Sequence, residues 1–197
     1  MSSRMSPIKL NLIVACDSKM GIGVKNDLPW RLRKEMNHFN RMTTGDSYDL
    51  AKHPGSENKR NVVLMGRKTY ESIPEKFRPL KNRLNVVLSR DTEISPHENM
   101  VAFKSWEDAM KYLEKPQIQE EIDQVWVVGG SHIYKMAMES PFLYRIYLTK
   151  LAKEFDCDTF FPEFDPAEYK LVTDPKVSQE EQEEDGIRYT FYVYEKL

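Results

Sequence analysis

Short runs of apolar residues recur along the chain and predict the strands of a buried β-sheet. The residues are apolar at consecutive positions, which is typical of parallel strands covered on both faces. The predicted strands are Ile8–Cys16, Asn61–Met65, Asn85–Leu88, Gln124–Val128 and Arg145–Thr149. Helices are predicted between them: a short one from Gly66 to Ile73 that Pro74 ends, one over Trp106–Leu113 capped by Ser105, and one that begins near Ser131.

The stretch Leu28–Met42 has the pattern of an amphipathic helix. Its apolar residues recur at helical spacing and would form one face: Leu32, Met36, Phe39 and Met42. Pro29 suits the first turn of such a helix, because a missing N–H group is tolerated there.

Glu35 falls on this apolar face, where a carboxylate is unfavourable. Such a group needs a hydrogen-bonding partner, must reach solvent at the edge of the face, or changes its pKa. One interpretation places Glu35 at the edge, in an ion pair with Arg31 one turn earlier. The other is a buried functional carboxylate, which the chemistry of the remaining chain favours.

The C-terminal part of the chain differs in pattern from the rest. Tyr169–Val177 and Ile187–Glu195 are β-rich and predict an antiparallel hairpin added to the mainly parallel sheet. The acidic run Gln179–Asp185 between them is interpreted as a solvated loop, and the polar stretch Gly45–Lys59 as an exposed one. No linker or repeat interrupts the chain, so residues 1–197 are expected to form one α/β domain with helices on both faces of the sheet.

Composition and charge exclude several classes of protein. The 197 residues are 40% hydrophobic and 30% charged with a net charge of −2, which is typical of a soluble protein and offers no basic field for nucleic acid. The two cysteines, Cys16 and Cys157, form neither a disulfide framework nor a metal site. The first apolar run is too short for a signal peptide or a membrane span, so a cytoplasmic protein is expected.

Three predicted strands end in residues that suit phosphate groups. These ends are Gly66-Arg67-Lys68-Thr69, Ser89-Arg90 and Gly129-Gly130-Ser131. In an open α/β sheet, ligands bind beyond the carboxyl ends of the strands, where backbone N–H groups and basic side chains hold phosphate. The surplus of basic groups favours NADP over NAD, because a 2′-phosphate requires cations. The glycine-bearing loop Asp17–Asp27 is a weak dinucleotide fingerprint and is interpreted as a flap over the site.

Over almost its whole length the chain resembles dihydrofolate reductase. The motifs that carry the resemblance are Met20-Gly21-Ile22-Gly23, Leu28-Pro29-Trp30, Val63-Leu64-Met65-Gly66-Arg67-Lys68-Thr69, Ser72-Ile73-Pro74, Arg78-Pro79-Leu80-Lys81, Leu88-Ser89-Arg90, Val128-Gly129-Gly130 and Asp158-Thr159-Phe160-Phe161-Pro162. The last motif is typical of the animal enzymes of this family. The set occurs in the family's order and is highly specific.

The resemblance implies a monofunctional enzyme with a dihydrofolate-reductase-like fold that uses NADPH. It would transfer hydride to C6 of 7,8-dihydrofolate, with protonation of N5 from water, and yield 5,6,7,8-tetrahydrofolate for one-carbon metabolism and thymidylate synthesis. Antifolates are expected to bind, and the enzyme is expected to be a monomer without nucleic-acid, membrane or metal partners. The alternatives are a reductase of a related pterin or pyrimidine, which Arg83 disfavours, and a catalytically silent nucleotide-binding protein.

The resemblance also implies a role for each residue around Glu35. Glu35 would pair with the 2-amino group and N3 of the pterin, Trp30 would hold a linking water, and Thr149 would hydrogen-bond the carboxylate. Burial should raise the pKa of Glu35, whereas pairing with a protonated pterin should lower it, so the net direction is open.

The remaining implied site residues fall into a substrate group and a cofactor group. The substrate group is Ile13, Val14, Met36, Phe39, Asn40, Ser72, Ile73, Leu80, Arg83, Val128 and Tyr134, with Arg83 on the glutamate tail. The cofactor group is Ala15, Gly21, Ile22, Gly23, Val24, Lys25, Asn26, Asp27, Gly66, Arg67, Lys68, Thr69, Leu88, Ser89, Arg90, Asp91, Gly129, Gly130, Ser131, His132, Ile133 and Tyr134. Residues Met20–Asp27 would form a lid, and the bond between Gly129 and Gly130 would be cis.

Overall fold

A computed structural model of the chain describes residues 7–45, 59–91 and 97–197. The strands are β1 (Leu10–Cys16), β2 (Gly21–Gly23), β3 (Arg60–Gly66), β4 (Arg83–Leu88), β5 (Met100–Phe103), β6 (Ile122–Gly129), β7 (Leu143–Leu151), β8 (Thr159–Phe160), β9 (Tyr169–Val172), β10 (Gln182–Glu184) and β11 (Ile187–Lys196). The helices are α1 (Arg33–Thr44), α2 (Arg67–Ser72), α3 (Trp106–Leu113), α4 (Pro116–Glu121) and α5 (Ser131–Glu139).

Most of the strands form one sheet in the order β10-β11-β7-β1-β6-β3-β4-β5. Neighbours from β7 to β5 are parallel, whereas β11 is antiparallel to β7. Strand β9 pairs with β11 as well, and β2 and β8 form a separate two-stranded sheet. The predicted fold class, a mostly parallel sheet with an antiparallel C-terminal part, is confirmed.

Helices cover both faces of the sheet, as predicted. In β3, Val62 and Leu64 pack with residues of α3 and α5, while Val63 and Met65 pack with residues of α1. Every second residue of a strand points to the same face, so consecutive apolar residues are buried on opposite sides. This explains why the strands are apolar at consecutive positions.

The five predicted buried strands and the three predicted helices are confirmed with shifts of a few residues at their ends. Helix α3 begins where Ser105 was expected to cap it, and Asp108 N donates to Ser105 Oγ over 3.1 Å. Sequence patterns gave no indication of β5, of α4 with Pro116 in its first turn, or of the β2–β8 pair.

The predicted start of the helix that carries Glu35 is wrong. Helix α1 begins at Arg33, and Pro29 lies before it rather than in its first turn. Side chains bind the backbone of this preceding segment: Asp27 Oδ1 accepts from Leu28 N over 2.7 Å, and Arg31 Nη1 donates to Trp30 O over 3.0 Å. These bonds hold the segment before α1 in a non-helical conformation.

The interpretation of the acidic run as a loop is wrong for three of its residues, whereas residues 179–181 and Asp185 are exposed and lie outside any strand. Gln182–Glu184 forms β10, which pairs with β11. The preceding β-rich stretch is shorter than predicted, because β9 ends at Val172 and a turn follows in which Val177 N donates to Asp174 O over 2.9 Å. The predicted exposed loop Gly45–Lys59 lies almost wholly outside the described residues.

No helix within the described ranges is long and apolar enough to cross a membrane.

Candidate active site

The three strand ends that suit phosphate groups lie side by side. Strand β3 pairs in parallel with β4 on one side and β6 on the other, with Gly66 opposite Leu88 and Met65 opposite Gly129. Their carboxyl ends therefore meet at one edge of the sheet. The predicted convergence of glycines, hydroxyls and basic side chains at that edge follows from this topology.

Glu35 lies in the first turn of α1 and is 6% exposed. Thr149 Oγ1 donates a hydrogen bond to Glu35 Oε1 over 3.1 Å, and Thr149 itself lies in β7 opposite Ala15 of β1. The alternative of an ion pair with Arg31 is wrong, because Arg31 Nη2 binds Asp27 Oδ2 at 2.7 Å. Glu35 is thus a buried carboxyl group held from the neighbouring sheet.

Burial raises the pKa of Glu35 to about 7, and the negative charge of Glu184 adds to this effect. The hydrogen bond from Thr149 acts in the opposite direction because it stabilises the carboxylate, but it is the smaller effect. The sequence left open whether the pKa of Glu35 is raised or lowered; in the folded protein it is raised. A carboxyl group with this pKa changes its charge near neutral pH.

Trp30 and Tyr134 bring two further polar groups into the buried region. The Trp30 indole is buried, packs edge-on against Phe155 with ring centroids 5.2 Å apart, and its Nε1–H has no partner among the described residues. The Tyr134 hydroxyl donates to Ile13 O over 2.7 Å. Since a buried N–H is costly when unpaired, the Trp30 indole suits a water or ligand acceptor.

Arg83 lies near the opposite end of α1. Its Nη1 donates to Thr43 Oγ1 over 2.8 Å and reaches Asn40 Oδ1 at 3.5 Å, and its Nε donates to Lys81 O over 2.9 Å. Burial lowers the pKa of the guanidinium to about 10, so it stays charged at neutral pH. Helix α1 therefore has a buried carboxyl group at its start and a buried cation beside its last turns.

The expected apolar substrate residues divide between two places. One cluster brings together Ile13, Phe39, Ile73, Leu80 and Val128. Val14 does not join this cluster, because it follows Ile13 in β1 and its side chain points to the opposite face of the sheet. Met36 is 42% exposed, so the predicted apolar face of α1 is wrong at this position.

The basic residues at the strand ends differ in their pairing. Arg67 binds Glu71 and Asp91, each at 2.6 Å, whereas Lys68 and Arg90 form no ion pair with any residue that the structure describes. The backbone carbonyl of Lys68 accepts from Asn26 Nδ2 over 3.0 Å, which ties the lid to α2. Two cations without an ion pair among the described residues thus remain at this edge near Thr69, whereas the buried Ser89 hydroxyl donates to Asp91 O over 2.9 Å.

Three glycines allow the close approach that a phosphate site requires. The bond between Gly129 and Gly130 is cis, and Gly129 has φ 139°. A Cβ atom at Gly129 would lie 3.1 Å from Thr69 Oγ1, and one at Gly66 would lie 3.2 Å from Ile133 Cγ1. Glycine at these positions lets the strand ends pack closely beside Thr69 and the cations Lys68 and Arg90, a set of residues that fits a dinucleotide with an additional phosphate.

The other expected cofactor and substrate residues lie around this edge. Ala15 is the half-buried residue before the buried Cys16 at the end of β1, Ile22 lies in β2, and Ile133 is buried in α5 beside the exposed His132. Ser131 Oγ donates to Phe160 O over 2.7 Å, and Ser72 Oγ donates to Thr69 O over 2.6 Å. These two hydroxyls are engaged with the protein backbone.

The lid is held by contacts that sequence patterns did not reveal. Asp17, which follows β1 and is buried, accepts hydrogen bonds from Gly21 N at 2.7 Å, Lys19 N at 2.9 Å and Phe155 N at 2.9 Å. Asp158 Oδ2 accepts from Lys25 N at 2.9 Å. An aspartate four residues before a glycine, at the start of a turn, could have indicated the first contact, because short carboxylates bind nearby backbone N–H groups. The contact with Phe155 is long-range and leaves no local signal.

The chain is similar to known proteins over almost its whole length. The family model described as dihydrofolate reductase matches residues 9–196. Dihydrofolate reductase of Rattus norvegicus is 50% identical over 189 residues, which cover 95% of this chain and 97% of that protein. The enzyme of Heliothis virescens is 44% identical and covers 98% of this chain and 100% of its own. The structure of Schistosoma mansoni dihydrofolate reductase superimposes with a TM-score of 0.83 at 35% identity, covering 98% of this chain and 100% of its own.

Proposed function

The chain belongs to the dihydrofolate reductase family, and on that premise we propose that Glu35 orients the pterin ring for NADPH-dependent reduction of 7,8-dihydrofolate to 5,6,7,8-tetrahydrofolate. The observation that carries the role of Glu35 is its burial in contact with Thr149. The enzyme is an oxidoreductase whose product supplies one-carbon metabolism and thymidylate synthesis.

Glu35 is suited to bind an amidine-like edge such as N3 and the 2-amino group of the pterin. A carboxylate that faces this edge accepts two parallel hydrogen bonds, which fix the ring in one orientation. The Thr149 hydroxyl holds Oε1 from the sheet side over 3.1 Å, so the carboxylate cannot rotate freely. Trp30 would position the water between Glu35 and the ring.

Glu35 is also the carboxyl group available for proton chemistry. Glu35 and Asp17 are the buried carboxyl groups among the described residues, and Asp17 accepts three backbone hydrogen bonds. The carboxylate of Asp17 is therefore committed to the lid. Glu35 would polarise the ring, while water delivers the proton to N5.

NADPH, when bound, supplies the hydride that is transferred to C6. Lys68, Arg90 and the hydroxyl of Thr69 would hold its phosphates at the carboxyl ends of β3 and β4, and Ser89, whose hydroxyl donates to Asp91 O, would fix the turn that carries Arg90. Gly129 and Gly130 would let the cofactor approach the backbone. The lid around Gly21–Gly23, pinned to β8, would exclude water from the reacting groups.

Arg83 would bind the α-carboxylate of the substrate's glutamate tail. Its Nη1 and Nε already bind Thr43 and Lys81, which fixes the plane of the guanidinium. A guanidinium presents two parallel N–H groups to a carboxylate, which lysine does not. This charge, together with the apolar cluster around Phe39 and Leu80, supports a folate rather than a small pterin as substrate.

The role of Glu35 is tested by comparing wild type with Glu35→Gln in a dihydrofolate-dependent NADPH oxidation assay. We expect kcat/KM at pH 7 to fall roughly 100-fold, because the neutral amide cannot pair with both ring donors. At lower pH, where more of the dihydrofolate carries its own proton, part of the rate should return.

Glu107→Gln provides a matched control, since Glu107 occupies the first turn of α3 away from the site. Its rate should equal that of wild type. An unaffected Glu35→Gln enzyme would leave the reductase assignment intact but remove Glu35 from it. A wild-type protein that binds NADPH without oxidising it would contradict the reaction itself.

We further propose that the chain acts as a single catalytic domain, as a monomer and in the cytoplasm. Both cysteines are free, which suits a reducing compartment. Light scattering coupled to size-exclusion chromatography tests the monomer: a mass near 23.2 kDa is expected, and twice that value would contradict it.

A further inference from the structure

We propose that Glu184 is a positioning residue for the reaction: its carboxylate caps the helix that carries Glu35 and fixes the first turn in which Glu35 lies. The proposal rests on the proposed function of Glu35. Glu184 belongs to the acidic run near the C-terminus, 149 positions away in sequence from Glu35. Nothing in its local sequence marks it as part of the site.

The start of α1 lacks a cap from its own sequence. Leu32 occupies the N-cap position, and its side chain accepts no hydrogen bond. The first intrahelical bond of α1 runs from Met36 N to Leu32 O over 3.0 Å, so the N–H groups of Arg33, Lys34 and Glu35 have no helical partner. Helix starts usually obtain such partners from Ser, Thr, Asp or Asn.

Glu184 supplies a partner from another element to two of these three N–H groups. Its Oε1 accepts from Arg33 N over 2.7 Å, and its Oε2 accepts from Lys34 N over 2.8 Å. Both oxygens are therefore used on the two N–H groups that directly precede Glu35. Two short bonds from one rigid carboxylate define the direction as well as the position of the helix start.

A tight hairpin turn holds Glu184 in place. Glu184 ends β10 and pairs with Ile187 of β11, and the two residues between them, Asp185 and Gly186, have φ 52° and 74°. Positive φ at both central positions is typical of the type I′ turn, in which Asp-Gly is strongly preferred. Ile187 packs in one cluster with Trp30 and Leu32, so the turn is also anchored to the segment before α1.

Glu184 also acts on Glu35 through its charge. Its negative charge is one of the causes that raise the pKa of Glu35, after burial. The other groups that face Glu35 are the Thr149 hydroxyl of β7, the Tyr134 hydroxyl of α5 and the Tyr189 hydroxyl of β11. Glu184 is the charged member of this set, so removing its charge should lower the pKa of Glu35.

The proposal is tested with Glu184→Gln, Glu184→Ala and Glu184→Asp, and with Glu183→Gln as matched control. Glu183 is the adjacent, exposed carboxylate of the same strand and makes the same change in net charge. Two readouts distinguish an effect on the position of Glu35 from an effect on the stability of the protein alone. The first compares KM for dihydrofolate with KM for NADPH. The second is the titration of the Glu35 carboxyl group by ¹³C NMR in the free enzyme, with the signal assigned by its loss in Glu35→Gln.

Loss of the cap in Glu184→Ala is expected to raise KM for dihydrofolate about fivefold, as a cap loss of typical strength would, while KM for NADPH stays unchanged. Glu184→Gln should move the Glu35 titration to lower pH, and Glu184→Asp should restore it because the charge returns. Glu183→Gln should change neither readout.

The proposal is overturned if the Glu184 variants lose only thermal stability, with KM and the Glu35 titration as in wild type. It is equally overturned if Glu183→Gln produces the same shifts, because the effect would then be one of net charge. The titration requires no turnover. A wild-type protein that fails to reduce dihydrofolate would therefore contradict the proposed function while leaving the action of Glu184 on Glu35 measurable.

Discussion

The buried carboxyl group of Glu35 links the chemistry of the site to the stability of the fold. Its pKa rises from the ordinary 4.5 to about 7 on folding. The folded protein therefore binds this proton more tightly than the unfolded chain does. Stability is greatest below pH 4.5 for this group and falls as the pH rises towards 7, by about 3 kcal/mol in total. Burying Glu35 in the site therefore lowers the free energy of unfolding at neutral pH.

The Glu35→Gln variant should consequently be more stable than wild type at pH 8. Gln can still accept the hydrogen bond from Thr149 but carries no charge to bury. We expect a gain of up to about 3 kcal/mol in the free energy of unfolding at pH 8 and a small difference at pH 5. Urea denaturation at both pH values measures it; an equal difference at the two would contradict the assigned cause.

His38 acts in the opposite direction from Glu35. It lies one turn further along α1, is buried, and stacks on Phe191 with ring centroids 4.1 Å apart. Burial and the charge of Arg41 lower the pKa of His38 to about 4, so the folded protein favours the neutral ring. Its contribution to stability is complete above pH 6.5 and is lost as the pH falls towards 4.

Replacing His38 by Phe should therefore make the protein less sensitive to acid. The loss of stability of the wild type between pH 6.5 and 4 includes about 3 kcal/mol from this residue, and His38→Phe should lack that part while keeping the stacking on Phe191. Denaturation midpoints across this pH range measure the effect. The exposed His97, replaced by Gln, is the control, and parallel curves for wild type and His38→Phe would refute the prediction.

The conformation of the lid, the segment Met20–Asp27, depends on the absence of a side chain at Gly21. Gly21 lies in β2 against Cys157, and a Cβ atom at Gly21 would lie 2.6 Å from both Cβ and Sγ of that residue. Asp17 and Asp158 hold the same segment through backbone N–H groups. The lid therefore has little room to adjust.

Gly21→Ala is expected to destabilise the protein by about 1–3 kcal/mol and to weaken NADPH binding, because the lid must move away from Cys157. Adding Cys157→Gly should recover part of both losses, whereas Cys157→Gly alone should have little effect on binding. Fluorescence titration with NADPH over this double-mutant cycle measures the coupling. Additive effects would show that the two residues do not clash.

The elements also show where local sequence is informative and where it is not. The apolar runs predicted the central strands, because burial on both faces leaves a strong local signal. The start of α1 was misplaced because its cap, Glu184, comes from a distant strand. The strand that holds Glu184 was overlooked because its residues are acidic, although Asp185-Gly186 is a recognised turn signal.

In the whole molecule, the order of the strands brings the C-terminal hairpin to the site. Strand β11 pairs along almost the full length of β7, with Phe191 opposite Thr149, and β10 extends the sheet beside it. The sequence could not predict this order, because it depends on which long crossovers are made rather than on local pattern. For β3, β4 and β6, the sequence predicted that their carboxyl ends lie at the same edge of the sheet, but not which of these strands are neighbours.

Deleting residues 182–197 should abolish cooperative folding. The deletion removes the buried Ile187, Tyr189 and Val193, exposes the edge of β7 and takes away the cap of α1. We expect a broad thermal transition and loss of near-ultraviolet circular dichroism, whereas removing only the exposed Leu197 should leave both as in the full chain. A sharp transition for the larger deletion would disprove the prediction.

The length of strand β4 sets the distance between the two halves of the proposed ligand site. Arg83, the proposed anchor for the substrate tail, is its first residue, and Leu88, its last, lies about 17 Å further along the strand. Arg90, a proposed anchor for the cofactor phosphates, follows two residues later. An insertion of one residue here would turn every following side chain to the opposite face. An inhibitor that joins both ligands in one molecule must therefore span the distance from Arg83 to the cofactor phosphates.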